Sequence, residues 1–364
     1  MVSPFRLLVV VGMVYRAWSR SSLTPLGLIV AATSGIAQAL HPWATPLTLL
    51  AVFYFGGTKV TKVKHEIKAR KTLSATGSEG GEGARNHLQV LANSVVATIL
   101  SIAHTVYSTR NPSAASCFSF GQNPADILVV GIVANYAAVA ADTFSSELGI
   151  LAQSNPRLIT SLTLREVPPG TNGGVTAAGL GAGLLGAFSI ALTSALILPA
   201  CSTGPDIQAR VVWTVAMSLW GLLGSILDSV LGGLLQASVV DKRSGKIVEG
   251  SGGRKVLIHP GSTSPSGTPG DAVPGTQPAG SLHLRKTEAV ANAATLHGNR
   301  VTGTSVGAAA GRLHDEKHES RRVVTGHDWL DNNGVNLLMA FLMSVGAMAV
   351  AQWTWDVDVR ELWT

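Results

Sequence analysis

Charge is what this chain has least of. Only 13% of its 364 residues are Asp, Glu, Lys or Arg, where an ordinary soluble domain carries about 25%. A mean hydropathy of +0.32 goes with that scarcity, and together they exclude an ordinary soluble domain. Several nucleotide-handling motifs are missing as well. No G-x-x-x-x-G-K-[ST] phosphate loop occurs, nor an H-R-D or D-F-G set, so neither a P-loop fold nor a protein-kinase fold is in prospect. The first apolar segment has Arg6 as its sole upstream charge and no A-x-A signal after it. It reads as a membrane helix rather than a cleaved leader.

What is abundant is glycine, 40 residues of it, and long uncharged apolar runs. Residues 180–200, 211–227 and 335–350 contain no Asp, Glu, Lys or Arg, and about 20 apolar residues span a bilayer. Glycine is also more frequent in membrane helices than in soluble ones. The expected fold is therefore an all-α polytopic membrane protein. Eight segments qualify: 4–18, 23–40, 44–56, 88–107, 125–141, 174–200, 211–236 and 334–351. The third is short enough to be partly re-entrant.

Lys and Arg concentrate in alternate connections. The stretch 58–86 holds seven: Lys59, Lys62, Lys64, Lys68, Arg70, Lys71 and Arg85. Arg16 and Arg20 lie between the first two segments, and 241–328 is rich in basic residues too. By contrast, 41–43 has none, 108–124 has only Arg110, and 201–210 has only Arg210. The positive-inside rule then places the basic loops in the cytosol and both termini outside it. The membrane domain is expected at 1–241 and 329–364. Residues 242–328 are expected as a disordered cytosolic insertion, being rich in Gly, Ser, Pro and Thr. That insertion holds six of the ten histidines, among them His314 and His318 four apart, which read as a solvated stretch.

This topology puts every unusual polar cluster at one membrane face. In "AVAADTFSSELGIL", Asp142, Ser145, Ser146 and Gly149 recur at helical spacing, while Glu147 falls off their face. A second acid, Asp228, interrupts "SILDSVLGGLLQ", and Asp331 opens "DNNGVN". Ionisable residues in membrane segments are functional candidates by default. Asp142, Asp228 and Asp331, helped by Glu147, are the expected Mg²⁺ ligands, since Mg²⁺ favours carboxylate and phosphate oxygens. Lys59, Lys62 and Arg85 are the expected phosphate-neutralising cations, whereas Lys64, Lys68, Arg70 and Lys71 read as topology or anionic-lipid charges. "GTNGG" precedes a helix, so the backbone of Gly170, Thr171, Asn172, Gly173 and Gly174 is expected to cradle a phosphate. Asn93, Asn172, Asn332 and Asn333 are expected to orient these groups.

Two features have simpler readings. "GAGLLG", residues 181–186, matches G-x-G-x-x-G, but no strand precedes it and it lies within an apolar span. Close helix packing through Gly179 and Gly183 explains it better. Cys117 and Cys201 both fall in non-cytosolic connections, where a disulfide is permitted but not required.

Taken in order, "FGGTKVTKVK", "RNHLQVLAN", "AADTFSSELG", "PPGTNGGVTAAG", "LDSVLGGLLQ" and "DNNGVN" resemble the transmembrane protein 19 family, long filed as a domain of unknown function. The likeness covers most of the chain outside the insertion. It departs at Phe144, where Trp is expected, at Ser94, where Gly is expected, and in the length of the insertion. That family includes the plant phytyl-phosphate kinase of the vitamin E pathway. The resemblance implies a membrane kinase acting on a prenyl monophosphate, with Mg²⁺ and a nucleoside triphosphate, CTP or ATP. Phosphoryl transfer asks mainly for positioning and charge neutralisation, which suits a constellation of acids and bases. Two other classes stay open: a carrier or lipid-handling protein without chemistry, and an adaptor working through its long loop. Membrane lipids are expected partners and nucleic acid is not. An endoplasmic-reticulum or other endomembrane is the expected location.

Overall fold

The computed structural model describes residues 4–75, 78–80, 83–112, 116–201, 207–256, 321–358 and 360. Eight long helices run back and forth across the described residues: α1 (Pro4–Ser19), α2 (Pro25–Ala39), α3 (Thr45–Lys62), α5 (His87–Arg110), α6 (Ala125–Gly149), α7 (Ala177–Ile197), α8 (Ile207–Leu235) and α9 (Asn332–Trp355), with a short α4 (His65–Ala69) after α3. Five of them, α5 to α9, are long and apolar enough to cross a membrane by length and composition. Helices α1 to α3 have 16, 15 and 18 residues. At about 1.5 Å per residue they fall short of the roughly 30 Å hydrocarbon core.

Helix boundaries follow local chemistry. Thr24 caps α2, Thr176 caps α7 and Asp331 caps α9, each accepting a backbone N–H from the first turn. Asn86 and Gln89 form a reciprocal capping box at the start of α5. Helices α3 and α6 outrun their sequence-based C-terminal limits the most. Helix α3 continues through "TKVTK", whose lysines suit the negative end of a helix dipole. Helix α6 continues to Gly149, so Asp142 and Glu147 are both helical.

Helix α6 is the axis of the bundle. Every residue from Ala125 to Ala141 is buried, with α3, α5, α7, α8 and α9 packed around it. Small residues make this possible. A methyl group at Gly221 would sit 2.7 Å from the Ala137 carbonyl oxygen, and one at Gly186 would sit 2.6 Å from that of Ala140. A methyl at Gly183 would lie 3.1 Å from the Ala141 carbonyl oxygen, and one at Gly179 would lie 3.2 Å from that of Ser145. Helix packing is therefore what "GAGLLG" provides.

Short strands, which the all-α expectation did not include, gather at one end of the bundle. A four-stranded sheet has the order β1 (Leu73–Ser74), β5 (Ile247–Glu249), β4 (Ser238–Asp241) and β6 (Arg321–Thr325). Strands β4 and β5 form a hairpin, β6 pairs antiparallel with β4, and β1 runs parallel to β5. In the hairpin turn, Ser244 donates to Asp241 through both its N–H and its hydroxyl and holds that carboxyl below its usual range. A second, two-stranded ribbon joins β2 (Arg157–Leu158) to β3 (Gly174–Val175). The flanks of the expected disordered insertion, 242–256 and 321–328, are thus structured: Val239, Val240, Ile247 and Val248 supply a buried apolar strip. The rest of that insertion, with His314 and His318, lies outside the described residues.

The opposite end is tied by a disulfide between Cys117 and Cys201, with Cα atoms 5.0 Å apart. Phe118 beside it is wholly buried, exchanging backbone hydrogen bonds with Pro199 and Cys201 and meeting Phe120, Trp213 and Trp355 edge-on. Also at this end, Arg6 donates to the carbonyls of His41 and Pro42.

Candidate functional site

Where the sheet meets the bundle, a cavity of about 460 Å³ opens. It is bounded by the ends of α3, α6 and α8, the starts of α5 and α9, and strands of the sheet. Of the residues singled out in the sequence, Arg85, Asn93, Asp142, Glu147, Gly170, Thr171, Asn172, Gly173, Gly174, Asp228, Asp331 and Asn332 all line it. Residues more than 240 positions apart are brought together. The reason is topological: an antiparallel bundle returns each odd-numbered crossing to the same end.

Asp142 on α6 and Asp228 on α8 both line this cavity, their carboxyl groups near enough to share a hydrogen bond. Two carboxylates so close repel each other unless a proton or a cation lies between them. In the orientation that satisfies both of its polar ends, the Asn336 amide donates to Asp228 Oδ1 at 3.2 Å and to the Asn332 carbonyl at 3.0 Å. Asn336 is one helical turn into α9, and the sequence reading passed over it.

The other two expected metal ligands are engaged elsewhere. Asp331 Oδ1 accepts the Gly334 N–H at 2.9 Å as the α9 cap. Glu147 Oε2 lies 2.5 Å from Lys68 Nζ. Among the described residues, no group of three or more His, Cys, Asp or Glu is placed to hold a metal ion. The four acids therefore do not form one cage. What fits a Mg²⁺ ion is the Asp142–Asp228 pair, because that ion commonly takes one or two carboxylates and completes its shell with water and substrate phosphates.

The cations are also redistributed. Lys59 is exposed and lines neither cavity; it is one turn beyond the exposed Phe55 on the outward face of α3. Lys62 borders a neighbouring apolar groove instead. Lys68, read from the sequence as a solvated charge, is buried. Its ammonium donates to the carbonyls of Val60 at 3.1 Å and Thr61 at 2.6 Å, the end of α3, as well as to Glu147. Lys71 similarly caps α6 through the Ile150 and Ala152 carbonyls. Arg85 remains at the cavity, its guanidinium donating to Thr61 Oγ1 at 2.9 Å. No spacing rule links Lys68 to Glu147 across 79 residues, so nothing local distinguishes it from the lysines around it.

The glycine-rich turn is less open than its composition suggests. The N–H of Thr171 donates to Pro168, that of Asn172 to Ser238 Oγ and that of Gly174 to Thr171. Three of the five amides expected to cradle phosphate are thus already used. The glycines serve geometry: Gly170 and Gly173 have φ of +86° and +78°, and Gly173 abuts Gly233. Asn333 is buried away from the cavity, where it and Asn86 both donate to the Gly252 carbonyl at 3.1 Å. This clamp holds the turn Ser251–Gly253 against the starts of α5 and α9.

Comparison with known proteins places this arrangement in a family. Residues 8–344 match the family model described as integral membrane protein DUF92. Protein PGR of Arabidopsis thaliana is 39% identical over 194 residues, 52% of this chain and 64% of that protein. An uncharacterized membrane protein of Methanocaldococcus jannaschii is 34% identical over 190 residues, 52% of this chain and 65% of its own length. One from Synechocystis is 27% identical over 214 residues, 58% and 71% respectively. The chain thus spans slightly under two thirds of the first two relatives. No solved structure matches. The resemblance in its six motifs and the family match over nearly its whole length agree: the chain belongs to the DUF92 family of integral membrane proteins.

Proposed function

We propose that the protein is a membrane kinase that transfers a phosphoryl group from a nucleoside triphosphate to a prenyl monophosphate. The observation that carries this reading is the contact between Asp142 and Asp228 in a polar cavity that also holds Arg85. Phosphoryl transfer requires little covalent help from a protein and much charge neutralisation and alignment. Asp142 and Asp228 would hold Mg²⁺, which when bound supplies charge neutralisation to phosphate oxygens. Arg85 binds the acceptor phosphate, its planar fork suiting two phosphate oxygens at once. Thr61 fixes the guanidinium, and Asn336 fixes Asp228. Lys68 holds the strap after α3 against α6 and so fixes one wall of the cavity. Lys59 and Asn333 have no part in this reading.

The basic face of the bundle, with the cavity, is placed toward the cytosol by the positive-inside rule, where nucleotide is available. An endoplasmic-reticulum or related endomembrane is the proposed setting. The test is nucleotide-dependent conversion of a prenyl monophosphate to its diphosphate by purified protein, with CTP and ATP compared. Loss of that conversion in Asp228→Asn, with the fold retained, supports the reading. Nucleotide-independent flux of the lipid phosphate in liposomes, without conversion, would favour a carrier instead.

A further inference from the structure

Beside the polar cavity lies a second hollow of about 400 Å³, between α1, α2, α3 and α5. Its wall is mainly apolar, with Val14, Ala31, Leu50, Phe53 and Val90 among its residues. Such a volume falls within the roughly 300–1,000 Å³ typical of small-ligand sites. The two hollows are contiguous: Thr61, His65, Gly83, Arg85, Gln89 and Asn93 line both. We infer that this groove seats the hydrocarbon tail of a single-chain lipid monophosphate, with the phosphate held at Arg85 on the threshold. The inference rests on, and deepens, the kinase reading above.

Charge and shape both support this occupant. Arg20 and Lys62 border the groove along with Arg85, so its mouth is basic while its wall is apolar, which suits an anionic head on a greasy chain. Arg85 is unusually well seated for a residue in a connection. Its N–H donates to the Ser22 carbonyl and its carbonyl accepts from Thr24, both at 3.0 Å, and its guanidinium bonds Thr61 on α3. A glycine makes room: a methyl at Gly27 would lie 3.0 Å from the Arg85 carbonyl oxygen. The arginine thereby joins the end of α1, the start of α2 and the end of α3 at the point where the hollows meet. A group transferred in the polar cavity would reach a phosphate there while the tail stayed out of water.

The experiment uses the full chain in detergent micelles and a prenyl monophosphate bearing a terminal diazirine, with adducts mapped by mass spectrometry. No nucleotide is added, so the result does not depend on catalysis. Adducts are expected on groove residues such as Val14, Ala31 or Leu50, competed by geranylgeranyl monophosphate and not by phosphatidylcholine. Arg85→Gln should weaken labelling by about tenfold, as for loss of a charge-assisted hydrogen bond. Ala31→Phe, which fills the groove, should reduce it similarly, and Val14→Phe serves if Ala31→Phe fails to fold. Adducts confined to outward residues such as Leu8 or Leu192 would overturn the proposal, as would equal competition by phosphatidylcholine. Groove labelling without any phosphoryl transfer would sink the kinase and keep the tail site. Transfer with labelling elsewhere would do the reverse.

Discussion

Lys68 and Glu147 form a buried ion pair, Nζ to Oε2 at 2.5 Å, with side chains only 9% and 17% exposed. The pair fastens the α4 strap to the last turn of α6, one and a half turns beyond Asp142. Removing one partner of such a pair leaves the other charge buried and uncompensated, at a cost of about 3–5 kcal/mol. Lys68→Ala should therefore lower the detergent melting temperature sharply. Lys68→Met combined with Glu147→Leu should recover most of the loss, since an apolar replacement of both partners is often neutral. A double-mutant cycle by thermal denaturation checks it.

The Asp142–Asp228 contact makes an opposite pairing of effects. Asp142→Asn supplies a permanent amide donor where two close carboxyl groups must otherwise share a proton, so the metal-free protein should melt higher than wild type. The same change should reduce phosphoryl transfer by about a hundredfold or more, the scale of losing one electrostatic contact to the transition state. Titrating Mg²⁺ separates the two effects. It should raise the wild-type melting temperature through ligand linkage and leave Asp142→Asn nearly unmoved.

At the far end of the bundle, His41 is enclosed between α2 and α3. Its Nδ1 accepts the Trp43 N–H at 2.9 Å, which leaves Nε2 to donate to His104 Nδ1 at the same distance. Burial, with the Arg6 charge nearby, lowers the His41 pKa from 6.5 to about 4, against the opposing pull of the Trp43 backbone. The unfolded chain therefore takes up the proton first. The stability linked to His41 is complete above about pH 6.5 and is lost as pH falls toward 4, amounting to about 3 kcal/mol at the acid limit. Melting curves between these pH values should show that fall, and His41→Asn should reduce it.

The Cys117–Cys201 bridge closes a loop of 84 residues. Chain-entropy arguments give such a loop about 4–5 kcal/mol, an upper limit where the unfolded chain keeps its membrane helices. Cys117→Ser should change mobility on a non-reducing gel and lower the melting temperature. Identical mobility with and without reductant would contradict the bridge.

The bundle was legible in the sequence because a bilayer imposes a coarse rule. Runs such as 335–350 need no partner to be recognised, and alternating lysine and arginine counts order their ends. Asp142, Asp228 and Arg85 were legible for the related reason that charge beside apolar helices is expensive and therefore conspicuous. Lys68 was not, because its burial depends on a glutamate reached only after two further helices have folded. Asn336 was hidden likewise by its distance from Asp228. The sheet escaped because β1 and β6 are separated by most of the chain and its strands are two to five residues long. The glycine turn misled for another reason: an amide's availability depends on Ser238, which belongs to a strand the sequence did not reveal.

The most direct measurement is transfer of labelled γ-phosphate to a prenyl monophosphate by the purified full chain, wild type beside Asp142→Asn and Asp228→Asn. The account expects Mg²⁺-dependent diphosphate from wild type and about a hundredfold less from either variant, with folding intact. Diphosphate formation by either variant at the wild-type rate would contradict it.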